Sequence, residues 1–291
     1  YGRSGSTLLD IILGVNSSIF SMGEVASIFS EIQNDHFCSC GDKIKECQVW
    51  KTVLNISDEA SLKELKYKDK VTRNFGGIKK LISLHMKKDH DEIWSSIFTS
   101  LREVTGCNIL VDSSKVNRFT LYRILSLKEM GYNVSLVHLV KHPYAVMESI
   151  AKGNNKAIQY SNPKLKRIGG IYRSTLGWLL SNWATEKFCY PIVNSKIRVR
   201  YEDLVSSPDR TLIEISNVCN INVSQALSSI QHKETLEVGH GIAGNRMRST
   251  DNTKGVQLIT KSIKEVKPSY HPNFILHRLV KNMALRYGYN I

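Results

Sequence analysis

Apolar positions recur at helical spacing from the start of the chain. Leu8, Leu9, Ile11, Ile12, Leu13 and Val15 predict a helix over 6–15. A second helical run follows Met22-Gly23-Glu24-Val25-Ala26 and ends near Gln33. Residues 34–58 show no period and read as loop. From 60 to 105 the spacing is helical again, broken at Gly76-Gly77. Ile78, Leu81, Ile82, Ile93, Ile97 and Leu101 lie on one side there, with lysines and carboxylates on the other. This stretch, about 55–105, predicts a helical insertion or lid. Short apolar runs at 108–112, 133–140 and 196–201 predict strands. Helices are predicted over 117–130, 144–152, 169–190 (with Trp178 and Trp183), from Pro208 to about Asn220, and over 273–287. Residues 153–168 are polar and irregular, a candidate substrate loop. Residues 239–255 are basic and glycine-containing. Strands alternating with helices predict one α/β domain over 1–291. Its expected form is three layers, a mostly parallel sheet with helices on both faces.

Composition changes the picture in two ways. The net charge of +14 points to an acidic partner: a nucleotide, a sulfated or phosphorylated sugar, nucleic acid or an anionic membrane. No uncharged apolar run reaches 18 residues, so no spanning helix is predicted. The chain opens on a loop that should follow a strand, so its true N-terminus is expected to be missing. Membrane association through such a segment, or a cytoplasmic location, both fit that expectation. Cys107, Cys189 and Cys219 are scattered and read as buried small hydrophobes. Cys38, Cys40 and Cys47 cluster ahead of Trp50. A zinc site usually wants four ligands, and His36 is a candidate for the fourth, but the spacing fits no standard finger. Metal, a local disulfide and free thiols stay open there, and no metal ligand is assigned.

The chemistry starts in Gly2-Arg3-Ser4-Gly5-Ser6-Thr7-Leu8. Glycines permit a tight turn and close approach to a ligand. A helix starting at Ser6 or Thr7 aims N–H groups and its positive dipole end at the same spot, a ready anion site. Arg3 adds a planar cationic fork, and the hydroxyls add donors. The plainer reading is a tight turn capping a core helix. The stretch is not a G-x-x-x-x-G-K-[ST] loop, because Gly5 stands before Ser6, which disfavours Mg²⁺-dependent nucleotide hydrolysis. Ligands on parallel sheets bind beyond the C-terminal strand ends. Three predicted strand ends carry polar clusters: Asp112-Ser113-Ser114-Lys115, Lys141-His142, and Tyr201-Glu202-Asp203.

Gly2 to Leu9 resembles the 5′-phosphosulfate loop of sulfotransferases that use 3′-phosphoadenosine 5′-phosphosulfate (PAPS). The resemblance extends to Glu24, the cysteine segment, 112–115, 141–149, 201–208 and 239–248. Similar bacterial enzymes often carry a cysteine-and-tryptophan segment after the first helix. The family implies a P-loop-like α/β fold and PAPS as co-substrate with no metal required. It implies that Arg3, Ser4, Gly5, Ser6, Thr7 and Leu8 hold the phosphosulfate. Lys141 and Ser149, eight positions later, would hold the 3′-phosphate, with Lys141 where arginine is common and His142 where aspartate is common. Lysine binds phosphate as a point charge rather than a fork. Tyr201 would lie near the adenine, and Arg246 and Arg248 would reach the 3′-phosphate from a late covering loop. Glu202 and Asp203 read as structural.

Sulfuryl transfer resembles phosphoryl transfer, which is largely positioning plus electrostatics. It needs a base for the acceptor hydroxyl and charge near the leaving oxygen. The resemblance gives these roles to Glu24, as base, and to Lys115, with Arg3 on the phosphosulfate oxygens. Ser113 and Ser114 are expected to orient the site, and His240 is the reserve base. The expected acceptor is a hydroxyl, a carbohydrate first, since a basic groove suits acidic sugars. The alternative is a non-enzymatic binder of sulfated polysaccharide or nucleic acid. No stacked-aromatic platform or recognised nucleic-acid motif is present, so nucleic acid is not expected.

Overall fold

A computed structural model of the 291-residue chain describes residues 2–74, 84–115, 118–151, 163–244, 255–258 and 274–291. The helix α1 (Ser6–Gly14) follows the opening turn and is buried from Thr7 to Leu13 on every face. Its side chains are apolar nearly all round because it lies inside the molecule rather than on it. The short strand β1 (Ile19–Ser21) returns beside it and pairs in parallel with β2 (Ile109–Val111). The strand β3 (Ser135–Val140) pairs in parallel with β4 (Ser195–Arg200). An antiparallel pair, β5 (Thr235–Leu236) and β6 (Val256–Gln257), completes the described strands. The parallel sense agrees with the sequence pattern. Among the described residues, however, the ladder is divided into pairs rather than running as one hydrogen-bonded sheet.

Three apolar clusters hold the fold. One joins α1 to β3, β4, α10 (Pro208–Cys219) and α11 (Ser224–Gln231). A second joins α2 (Ile28–Gln33), α3 (Gln48–Leu54) and α5 (Leu84–Thr105), with α4 (Glu59–Asn74) contributing Leu65 and Val71. The third joins α7 (Pro143–Ala151), α8 (Pro163–Ala184) and α12 (Phe274–Arg286). The helix α6 (Arg118–Glu129) follows β2. No helix of the described residues is long and apolar enough to cross a membrane.

Two segments differ from the sequence pattern. The stretch 34–58, read as loop, contains α3, which sinks Trp50 completely into the second cluster. Seven residues are too few to show a helical period. The polar run after β4, which no apolar spacing marks, is a helix, α9 (Tyr201–Ser206). Its first turn carries Glu202 and Asp203, as the positive end of a helix favours. In the stretch expected to form an insertion or lid, α5 buries Trp94, Ile97, Phe98 and Leu101 in the same cluster as Phe29 and Trp50. The Gly76-Gly77 break and most of the polar stretch 153–168 lie outside the described residues.

A buried histidine makes the fold acid-sensitive. His138 on β3 is 5% exposed. Asn182 donates through Nδ2 to the Trp178 carbonyl at 2.8 Å, which turns its Oδ1 to His138 Nε2 at 2.9 Å. Nε2 therefore carries the proton, and Nδ1 accepts from the Tyr190 hydroxyl at 2.9 Å. Burial pushes the imidazole down from 6.5 to about 4. Between those values the unfolded chain binds a proton that the folded one refuses, so stability falls as pH drops through this window. The expected loss is about 3 kcal/mol by the lower end. Urea unfolding of the wild type should weaken more steeply from pH 6.5 to 4 than that of His138→Gln. Parallel pH profiles would show that another group sets the acid limit.

Candidate active site

The opening turn depends on left-handed backbone. Arg3 has φ 68° and Gly5 φ 94°, and Gly5 precedes α1 without any side-chain cap. A Cβ on Gly5 would stand 2.2 Å from Cδ2 of Tyr201. Glycine is thus required twice, by the dihedral and by the aromatic ring lying on the turn. Around Gly2 a Cβ would meet nothing within 4 Å, so that side of the turn is open. No carboxylate occupies the first turn of α1, which keeps the helix start suited to an anion.

Tyr201 begins α9, and its ring is shared. Lys141, just past the end of β3, places Nζ 4.0 Å from the ring centroid. Burial lowers the Lys141 pKa, and the nearby Glu202 partly counters the shift. The strand end is fixed from several directions. Trp178 donates to the Lys141 carbonyl at 3.0 Å. The His142 amide and the Tyr289 hydroxyl donate to the two Glu202 oxygens at 3.0 and 2.8 Å. Asp203 accepts both arms of the Arg200 fork at 2.7 Å, and the same arginine donates to the Gly288 carbonyl at 2.8 Å. Glu202 and Asp203, read from the sequence as structural, thus tie this strand end to His142, Tyr289 and Arg200.

Glu24 is held by backbone. Beyond β1 the Met22 amide donates to the Val111 carbonyl at 2.9 Å, and the Ser113 amide donates to the Gly23 carbonyl at 2.8 Å. On the other side the Ile242 amide donates to the Met22 carbonyl at 2.9 Å, and the Glu24 amide to the Ile242 carbonyl at 2.7 Å. Gly23, at φ 70°, lies so close that a Cβ would be 2.3 Å from the Ile242 oxygen. Side chains then converge. Lys115 Nζ donates to Glu24 Oε1 at 2.7 Å and to Ser6 Oγ at 2.8 Å. The Ser114 hydroxyl accepts from the Ala26 amide at 3.1 Å, and Asp112, which accepts from the Ser114 amide, is ion-paired with the buried Arg123. A carboxylate, an ammonium group and the Ser6 hydroxyl of the opening turn thus meet at one point.

A family model described as "Sulfotransferase family" matches residues 1–225. The chain belongs to the sulfotransferase family. Its fold is similar to the solved "Sulfotransferase Domain from the Curacin Biosynthetic Pathway", at 20% identity and TM-score 0.56, with 99% of this chain and 95% of that one covered. It is also similar to the "Sulfotransferase Domain from the Synechococcus PCC 7002 Olefin Synthase", at 19% identity and TM-score 0.53, covering 100% and 92%. No curated protein sequence matches the chain.

Within this sulfotransferase, the predicted residues fall in two groups. Ser6 of the turn, Glu24 and Lys115 are in direct contact, while Gly5, Lys141 and Tyr201 are joined through the tyrosine ring. Arg3, Ser4, Thr7 and Leu8 lie on the turn and the first turn of α1. Ser149 is half-buried on α7, and Arg246 and Arg248 lie outside the described residues. His240, the reserve base, faces a cysteine instead, with Nδ1 3.3 Å from Cys47 Sγ. Sequence reading missed Ile242 as the clamp on Glu24 and Arg123 as the partner of Asp112. Neither carries a local signal, because both contacts span distant parts of the chain.

Proposed function

We propose that this sulfotransferase moves a sulfuryl group from PAPS to an acceptor hydroxyl, with Glu24 as general base. The observation that carries the reading is the contact of Lys115 with both Glu24 and Ser6. The donor set suits a polyanion: Arg3, Lys115 and Lys141 supply positive charge, and the turn supplies hydroxyls and the start of α1. Bound there, the donor would supply a sulfuryl group on a phosphate leaving oxygen.

Each residue then has a defined task. Glu24 takes the proton of the acceptor hydroxyl as its oxygen bonds to sulfur. Lys115 shifts its hydrogen bond toward the bridging oxygen, where negative charge grows as the sulfur–oxygen bond breaks. Arg3 and the turn hold the nonbridging oxygens. Lys141, with Ser149, takes the 3′-phosphate, and Tyr201 borders the base. Metal is not required, because the transferred group carries less charge than a phosphoryl group.

The charge of +14 favours an acidic acceptor, and a carbohydrate is the first choice. The fold neighbours come from a curacin pathway and an olefin synthase, which makes the hydroxyl of a biosynthetic intermediate the second. An acceptor screen should include both.

Calorimetry with 3′-phosphoadenosine 5′-phosphate, without metal and beside ATP, tests the donor. The bisphosphate should bind far more tightly than ATP. Lys141→Ala should weaken it by about 10- to 100-fold, the scale of a lost charge-assisted contact. No preference for the 3′-phosphate would remove Lys141 and Ser149 from the site and favour the polyanion-binding reading.

A further inference from the structure

The cysteine segment and the residues around His240 form a second chemical cluster. Sγ of Cys38, Cys40 and Cys47 and a ring nitrogen of His240 all lie within 4.8 Å of one another. A zinc tetrahedron with bonds of about 2.3 Å to sulfur and about 2.0–2.1 Å to nitrogen has edges of about 3.6–3.8 Å. The four atoms therefore need only a small contraction to share one ion. Cys38 and Cys47 are buried, and Cys40 and His240 half-buried.

Backbone already organises the cluster. The Cys38 amide donates to the Asp42 carbonyl at 2.8 Å, and the Gly41 amide donates to the Cys38 carbonyl at 3.0 Å. This closes a tight knuckle around Gly41, whose φ is 102°. Around the sulfurs, Cys38 Sγ lies 3.9 Å from the Gly241 carbonyl oxygen, Cys40 Sγ 3.7 Å from an Asp42 carboxylate oxygen, and Cys47 Sγ 3.3 Å from His240 Nδ1. The thiolate is the ligand form, and a bound metal would displace the thiol protons. The fourth ligand is placed from outside the segment. Trp50 Nε1 donates to the His240 carbonyl at 2.6 Å, and Ser39 donates through Oγ to the Gly241 carbonyl at 2.8 Å. His36, the nearer candidate in sequence, is turned away onto Glu31 at 2.6 Å.

We propose that Cys38, Cys40, Cys47 and His240 bind one Zn²⁺ as a closed structural site. Three sulfurs and one imidazole nitrogen in tetrahedral reach suit zinc, and four protein ligands leave no position for a substrate. A disulfide would use two of the sulfurs and strand the third beside the imidazole. The site shares no residue with those assigned to sulfuryl transfer, so it stands whether or not that assignment does.

The test uses the full chain, without a polyhistidine tag, purified under reducing conditions and offered Zn²⁺. Elemental analysis by plasma mass spectrometry should find one zinc per chain after gel filtration, released when a mercurial titrates the thiols. Cys40→Ser and His240→Ala should each lower retained zinc at least about tenfold, while His36→Ala keeps it. Should those variants fail to fold, Co²⁺ substitution of the wild type should give the absorption bands of tetrahedral thiolate coordination. Wild-type protein that keeps no zinc, carries iron or copper instead, or loses its zinc on His36→Ala overturns the proposal. So does a disulfide among the three cysteines in protein purified without reductant and free of metal.

Discussion

Lys115→Ala should lower kcat by about 10²–10³-fold, the scale of one lost electrostatic contact to a developing charge. Binding of 3′-phosphoadenosine 5′-phosphate should change little. The reason is where Lys115 sits. Its Nζ lies between the Ser6 hydroxyl of the anion turn and the Glu24 carboxylate. A cation there matters most when charge moves toward the bridging oxygen, and less when the ground-state ligand simply binds. The two quantities separate in a kcat measurement beside calorimetry. Equal losses in both would make Lys115 a binding residue and leave the leaving oxygen to another donor.

Glu24→Gln should lower kcat by about 10²–10⁴-fold, the range for a general base, with bisphosphate affinity retained. The amide keeps the shape of the carboxylate and can still accept from Lys115. The clamp on this residue is made by backbone, from Val111, Ser113 and Ile242, so the substitution leaves it in place. What disappears is the capacity to take a proton, together with the negative charge that pairs with Lys115. Full turnover by the variant would move the base elsewhere. His240 is badly placed to inherit the role, because it faces Cys47. Combining the two substitutions should cost less than the sum of their separate effects, since the groups touch and act together.

Much of this site was legible because its parts are local. A glycine pair, a basic residue and an apolar helical run in eight residues announce an anion turn. Polar clusters mark the predicted strand ends, and Lys141 and Tyr201 meet in the fold. Three kinds of feature were not legible. Elements as short as β1 and α3 hold too few residues for a period to show. No apolar spacing marks the polar start of α9, where Glu202 and Asp203 take Tyr289 and Arg200 as partners. Contacts between distant segments leave no local trace at all: Cys47 and His240 are 193 residues apart. His36 is the histidine that the sequence sets beside the cysteines, at a spacing that fits no standard finger, whereas His240 comes to Cys47 only in the fold.

The bonds from residues 241 and 242 to Ser39, Met22 and Glu24 also bear on when the site can exist. Ser39 and Gly241 are separated by 202 residues, and closing so long a loop costs entropy before any contact rewards it. During synthesis the opening turn and α1 leave the ribosome well before residues 241 and 242, whose backbone fixes Glu24. The backbone clamp on Glu24 is thus completed late: a chain still lacking residues 241 and 242 carries the opening turn before it can fix Glu24.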